Sequence, residues 1–240
     1  MTKKISHPDS EQLNDADVDA FERRPLPTVG RAAGGDARTR AHLIDVAIRL
    51  FARHGIDAVS MRQITAEAGQ SNQSVIQYYF GGKDGLIVAA LDLFMEEVKR
   101  VHDSMESEFA AMGEHPDLKS VLHAYMDPLM TLHLSSPSAR RAVQFADRLT
   151  RSDPEYYDLL VSKLLPYHQS FLRRVQEALP EQPADVTAVK VFYAVGTILH
   201  SLADTRLSIK GGGPMQGFDQ ATLSAIFVDF IVGSIAGYSR

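Results

Sequence analysis

Asn72, Gln73, Ser74 and Gln77 crowd into one short polar stretch, and all four end in groups that hydrogen-bond without ionising. Amide side chains of this kind can bond an adenine edge bidentately, and the neighbouring Val75 can touch a thymine methyl. Ser60, Arg62, Tyr78, Tyr79 and Lys83 flank the stretch with donors suited to phosphate oxygens. Such contacts set affinity and register without reading sequence. The chemistry on offer is recognition rather than bond-making. The chain has no H-E-x-x-H and no G-x-S-x-G, and its Gly211–Gly213 run leads into Pro214 instead of a phosphate-cradling helix start. It has no cysteine, which removes disulfides and thiolate metal sites. His123, Asp127 and His133 lie near one another but do not make a metal set. The expectation is a non-enzyme without cofactor or metal.

Recognition side chains need elements to hold them. Leu43, Ile44, Ala47, Leu50 and Phe51 fall on one face of a helix, and Gly55 ends it. Ser60 followed by Gln63 is a capping box for a second helix, with Met61, Ile64, Thr65 and Ala68 turned inward and Gly69 as its stop. Ser71 or Asn72 can cap a third helix whose buried side is Ile76, Tyr79 and Phe80. Gly81-Gly82 break it, and a long helix begins near Lys83-Asp84. Three helices with a short second one and a polar third make a helix–turn–helix, whose last helix enters the major groove of DNA.

Net charge is −5, which looks adverse to a nucleic-acid partner. Charge is local, however. Residues 31–83 carry +3, residues 1–30 carry −2 and residues 84–240 carry −6, so the basic excess sits on the segment nominated for DNA.

Residues 40–91 resemble the DNA-binding region of the tetracycline-repressor (TetR) family. The resemblance rests on LFARHG closing the first helix, SMRQI in the second, AG at the turn, Y-Y-F closing the third and G-x-K-D before the fourth. It implies a dimeric, all-helical transcriptional regulator, usually a repressor, with a divergent C-terminal domain that binds a small molecule. It places Gln73, Ser74, Val75 and Gln77 against DNA, gives Tyr78, Tyr79 and Lys83 phosphate contacts, and puts Ile76 and Phe80 in the core. Between Ala68-Gly69 and Phe80 the chain has one residue more than the usual family spacing, which leaves Asn72 as either cap or base reader.

The expected organisation is a disordered N-terminal extension over 1–35, a helix–turn–helix domain over 36–84 and a helical effector-binding and dimerisation domain over 85–240. Arg23, Arg24 and Arg31 could make the extension a DNA-touching arm. Apolar periodicity continues to the C-terminus with no β alternation, so the fold class is all-α. Phe94, His102, Met126, Met130, His133, Phe145, Tyr167 and Phe171 offer apolar walls with a few polar tips for a small-molecule pocket. The last two helices are apolar on more than one face, which points to burial on both sides. Phe192, Gly196, Leu199, Phe227, Phe230, Ile231 and Ser234 are the expected homodimer surface. The N-terminus has no apolar signal core, and the nearest approach to a membrane span, Leu223–Gly237, is short and carries Asp229. A cytoplasmic protein with operator DNA, a second copy of itself and a small-molecule effector as partners is the expectation. The alternatives are an enzyme, or a DNA-bound docking platform for another protein with its cavity filled by side chains.

Overall fold

A computed structural model of the chain describes residues 34–72, 74–113, 116–204 and 217–237. Residues 1–33, most of the expected 1–35 extension with its arginines, lie outside the described residues, as do Gln73 and the glycine run after Asp204, while Gly34 and Gly35 belong to the first helix. The described residues are all-α, with no strand among them.

Helix α1 spans Gly34–His54. Its acidic first turn (Asp36) and basic last turn (Arg53, His54) complement the helix dipole, and Gly55 at φ +88° ends it. Helix α2, Met61–Glu67, starts on the expected capping box. Ser60 Oγ accepts from the Gln63 amide at 3.2 Å, and Gln63 Oε1 accepts from the Ser60 amide at 2.8 Å. Gly69 at φ +65° turns the chain toward α3, Ser74–Phe80. Asn72 proves to serve the turn: its Oδ1 accepts from the Ser74 amide at 2.9 Å. The side chains turned inward from these three helices, Phe51, Ile64, Ile76 and Phe80 among them, are buried.

Helix α4, Lys83–Ala111, is the longest. At the usual rise its 29 residues reach about 44 Å, from beneath α3 far into the rest of the molecule. The body adds α5 (Leu118–Ser135), α6 (Pro137–Leu149), α7 (Pro154–Ala178), α8 (Ala184–Ala203) and α9 (Gln220–Ala236). Asp117, Ser136 and Asp219 cap α5, α6 and α9 through their side-chain oxygens. Proline opens α6 and α7, where its missing N–H costs nothing. Pro166 lies inside α7, and Pro128 lies inside α5. One buried cluster runs without a break from Leu43 in α1 to Ile235 in α9, so the head formed by α1–α3 shares a core with the body.

Helix α8 ends at Ala203. This helix, not α9, is long and apolar enough to cross a membrane by length and composition, with a mean hydropathy of 1.5 over its most apolar window. It carries Lys190, whose Nζ bonds Gln182 Oε1 at 3.0 Å and the Ile235 carbonyl at 2.9 Å. Val191, Ala194, Ile198 and Leu202 turn into the protein core. One side of the helix is therefore packed in the core, while Val189, Phe192 and Tyr193 on the other stand exposed.

Candidate nucleic-acid interface and internal cavity

The third helix divides its residues cleanly. Ile76 and Phe80 anchor it, while Ser74, Gln77 and Tyr78 stand exposed and Val75 and Tyr79 are half-buried. Tyr78 is 72% exposed, with its ring edge-on to Tyr79 at 4.9 Å and most of its surface open to a partner outside the fold. Arg62 projects from the surface of α2. Ser60 is both exposed and committed as a cap. Two of the expected phosphate donors have work inside the protein. The Tyr79 hydroxyl donates to Asp36 Oδ1 at 2.9 Å, and Lys83 Nζ donates to the Ile56 carbonyl at 2.7 Å while sitting over the Phe51 ring. Each bond ties the recognition unit to α1 or to the loop after it.

The head is clamped to the body at three further points that sequence reasoning missed. Gly85 in α4 lies against the backbone of α3, with the Phe80 carbonyl oxygen 1.8 Å from where a Cβ would stand. Phe51 of α1 stacks on Phe145 of α6 at 5.9 Å, and Arg148 Nε donates to the Ala52 carbonyl at 3.2 Å. The Tyr156 hydroxyl of α7 donates to Asp84 Oδ1 at 2.8 Å. Only Gly85 left a local trace, as a glycine in the first turn of a helix where an ordinary helix former would serve better.

The body holds a partly open cavity of about 100 Å³ between α4, α5, α6, α7 and α8. Of the expected pocket residues, Phe94, His102 and Tyr167 line it. Met126, Met130, Phe145 and Phe171 do not: they are packed into the solid core, Phe145 against Phe51 and Phe171 against Tyr125. The wall also holds Glu97, Val143, His168 and Leu199. Leu199, expected at the dimer surface, turns toward the cavity. Burial pushes the Tyr125 hydroxyl on the wall up to about 12 and pushes His168 down. Leu164, His168, Val195 and Leu199 separate the cavity from an open groove of about 600 Å³ between α7 and α8.

His133 lies off the cavity wall, with a buried Nδ1 that meets no hydrogen-bond partner. Burial, aided by the nearby Arg140 charge, pushes its pKa from 6.5 down to about 4. Protonation therefore favours the unfolded chain. The stability held by the neutral ring is complete above pH 6.5 and is lost as pH falls toward 4, by roughly 3 kcal/mol if His133 acts alone. Thermal melts across that window should slope downward with acid, and His133→Asn should flatten them. Equal slopes in the two proteins would remove His133 as the cause.

The last two helices pack against each other, and both carry exposed large apolar side chains. These are Val189, Phe192 and Tyr193 from α8 and Ile226 and Phe230 from α9, all at least half exposed. Gly196 and Ser234 are also exposed, and Phe227 stacks on Phe230 at 6.3 Å. Ile231 departs from the expected set because its side chain is 1% exposed and belongs to the chain's own core.

Comparison with known proteins agrees with this architecture. Residues 43–90 match the model for bacterial regulatory proteins of the tetR family, and residues 123–234 match the tetracyclin repressor-like C-terminal domain. The HTH-type nicotine-responsive transcriptional repressor HdnoR of Paenarthrobacter nicotinovorans is 26% identical over 165 residues, covering 67% of this chain and 79% of that protein. The HTH-type transcriptional regulator BetI of Brucella suis is 40% identical over 67 residues, 28% of this chain and 33% of BetI. Among solved structures, the fatty acid degradation regulator FadR of Bacillus halodurans is 18% identical with a TM-score of 0.57, covering 87% of this chain and 100% of that one, a likeness of fold. With a helix–turn–helix that exposes polar side chains, a helical body behind it and matches to both halves, the chain belongs to the tetR family and is a DNA-binding transcriptional regulator.

Proposed function

We propose that the protein is a cytoplasmic, non-enzymatic repressor that binds a palindromic operator as a homodimer and releases it when a small molecule enters the body. The observation that carries this reading is the path of α4. Its first turn lies against α3 at Gly85, and its middle, from Phe94 to Met105, forms one wall of the cavity. A ligand that prefers one tilt of α4 therefore biases the position of the recognition helix, because an effector shifts a conformational equilibrium only through differential affinity. Helix α6 offers a second route: Ala139 and Val143 line the cavity, while Phe145 and Arg148 hold α1. HdnoR, named as a nicotine-responsive repressor, supports a small molecule as the switch and repression as the output.

The exposed face of α8 and α9 is the proposed dimer surface, completed by the same face of a second copy. Two recognition helices set about one DNA turn apart, roughly 34–36 Å, would then read two half-sites. Selection of bound fragments from genomic DNA by the full chain, followed by footprinting, tests this. Two symmetric half-sites are expected, and a single asymmetric one would overturn the dimeric reading. On the selected operator, Gln77→Ala should weaken binding roughly tenfold or more and relax preference at one base position. Arg62→Ala should weaken all sequences alike and reduce the salt dependence by about one counterion. Identical behaviour of the two variants would refute the division between base reading and phosphate contact.

A further inference from the structure

The cavity wall is chemically lopsided. It is built mainly from aliphatic and aromatic side chains, Glu97 is its one carboxylate, and no Lys or Arg lines it. Glu97 is largely buried, with 16% of its side chain exposed. Its Oε1 accepts from the Arg100 guanidinium, which reaches back from the surface. Its Oε2 is buried and meets no donor. His102, five residues further along α4, repeats the pattern. Its ring packs edge-on against Tyr167 at 5.0 Å, and its Nδ1 is buried without a partner. Buried polar atoms in folded proteins are nearly always paired, and an unpaired carboxylate oxygen is among the costliest exceptions. Two such atoms on one helix, on the wall of one apolar cavity, are what a ligand's hydrogen-bond donors would satisfy.

We propose that this cavity selects a lipophilic amine, a compact apolar body whose protonated nitrogen donates to Glu97 Oε2, with His102 Nδ1 as a further acceptor on the same wall. The inference rests on the reading of the cavity as the effector site and names the ligand class for it. A carboxylate ligand would bring a second negative charge up to Glu97, whose one basic partner, Arg100, is already engaged at Oε1, and no Lys or Arg lines the wall. A neutral hydrocarbon would leave both wall atoms unpaired. An amine forms a charge-assisted hydrogen bond, the strongest kind available here. The small volume of the cavity admits only the core of such a molecule. A longer apolar tail would pass between Leu164 and Leu199 into the groove of α7 and α8.

The test uses four probes with one apolar body: 4-phenylbutylamine, 4-phenylbutanol, 4-phenylbutanoate and butylbenzene. Each is titrated calorimetrically into the full chain and into Glu97→Gln. The amine should bind the tightest and exceed the carboxylate by roughly tenfold or more. Glu97→Gln should weaken the amine roughly tenfold, bring it level with the alcohol and leave butylbenzene unchanged, which also shows that the variant retains its cavity. His102→Leu, a second variant, should weaken the amine by about threefold and spare butylbenzene. If the four probes bind with the carboxylate equal to or tighter than the amine, or if Glu97→Gln leaves the amine unaffected, the ligand class is wrong while the cavity remains a binding site. If none of the four binds or raises the melting temperature, the effector reading of the cavity fails and the amine proposal falls with it.

Discussion

Replacing Gly85 with alanine should unseat the recognition helix and abolish operator binding. An added Cβ would stand 1.8 Å from the Phe80 carbonyl oxygen and 2.9 Å from its carbon. Both are backbone atoms, so no rotamer change relieves the clash, and α3 must move away from α4. Phe80 cannot follow freely. Its ring is 4% exposed, and the Arg40 guanidinium lies over it at 5.2 Å. Moving α3 therefore opens the small core of the head. Overpacking of this kind against backbone should cost about 3 kcal/mol or more. For a chain of this size that corresponds to a fall of about 10 °C in Tm. Operator affinity should drop beyond detection because Gln77 and Tyr78 ride on the displaced helix. The checks are thermal melts and a titration of labelled operator. A Gly85→Ala protein that melts within a degree or two of the parent and binds DNA normally would show that the α3–α4 contact yields.

The clash also shows where sequence reading runs out. The capping box at Ser60 and Gln63, the stops at Gly55 and Gly69 and the proline starts of α6 and α7 are all local signals, and each appears in the structure where the sequence places it. Local chemistry determines them, since a hydroxyl three residues before a glutamine can act as a cap whatever lies elsewhere. Gly85 is required by a backbone approach between two helices, which leaves almost no local pattern. The cavity is harder still. Phe94 and Phe171 have the same side chain at the same helical spacing, yet one lines a cavity and the other fills the core. Periodicity states that both point inward but not whether anything stands opposite. Glu97 was invisible as a site residue because a Glu on a long amphipathic helix reads as solvated surface. Ile231 failed for the opposite reason. Helix α9 is apolar nearly all round, so its sequence cannot say which side faces the chain's own core and which faces outward. The exposed Ile226 and Phe230 settle the direction.

Phe192→Glu combined with Phe230→Glu should turn a dimer into a monomer that still folds. Each ring is 59% exposed within the chain, so neither holds the protomer core together, and the charges enter only what a second copy would cover. Across a twofold axis each glutamate meets apolar surface or its own symmetry mate, and burial of an unpaired charge is prohibitive. Analytical ultracentrifugation should show the parent as a dimer and the variant at monomer mass, with unchanged helicity. The consequence for DNA exceeds the loss of one contact surface. A dimer that has engaged one half-site presents its second head at a high effective concentration, and linked binding of this kind raises affinity by about 10²–10⁴. The variant should therefore bind the full operator at least about a hundredfold more weakly, and no better than an isolated half-site. A variant that remains dimeric would remove the α8–α9 face as the interface. The groove between α7 and α8 adds a second readout, because Phe192, Tyr193 and Gly196 line it as well as standing at the proposed dimer surface. A second copy seated there would close the groove over the internal cavity. Monomerisation should then weaken an effector whose tail occupies the groove and spare one confined to the cavity, so the length dependence of ligand binding would report the quaternary state.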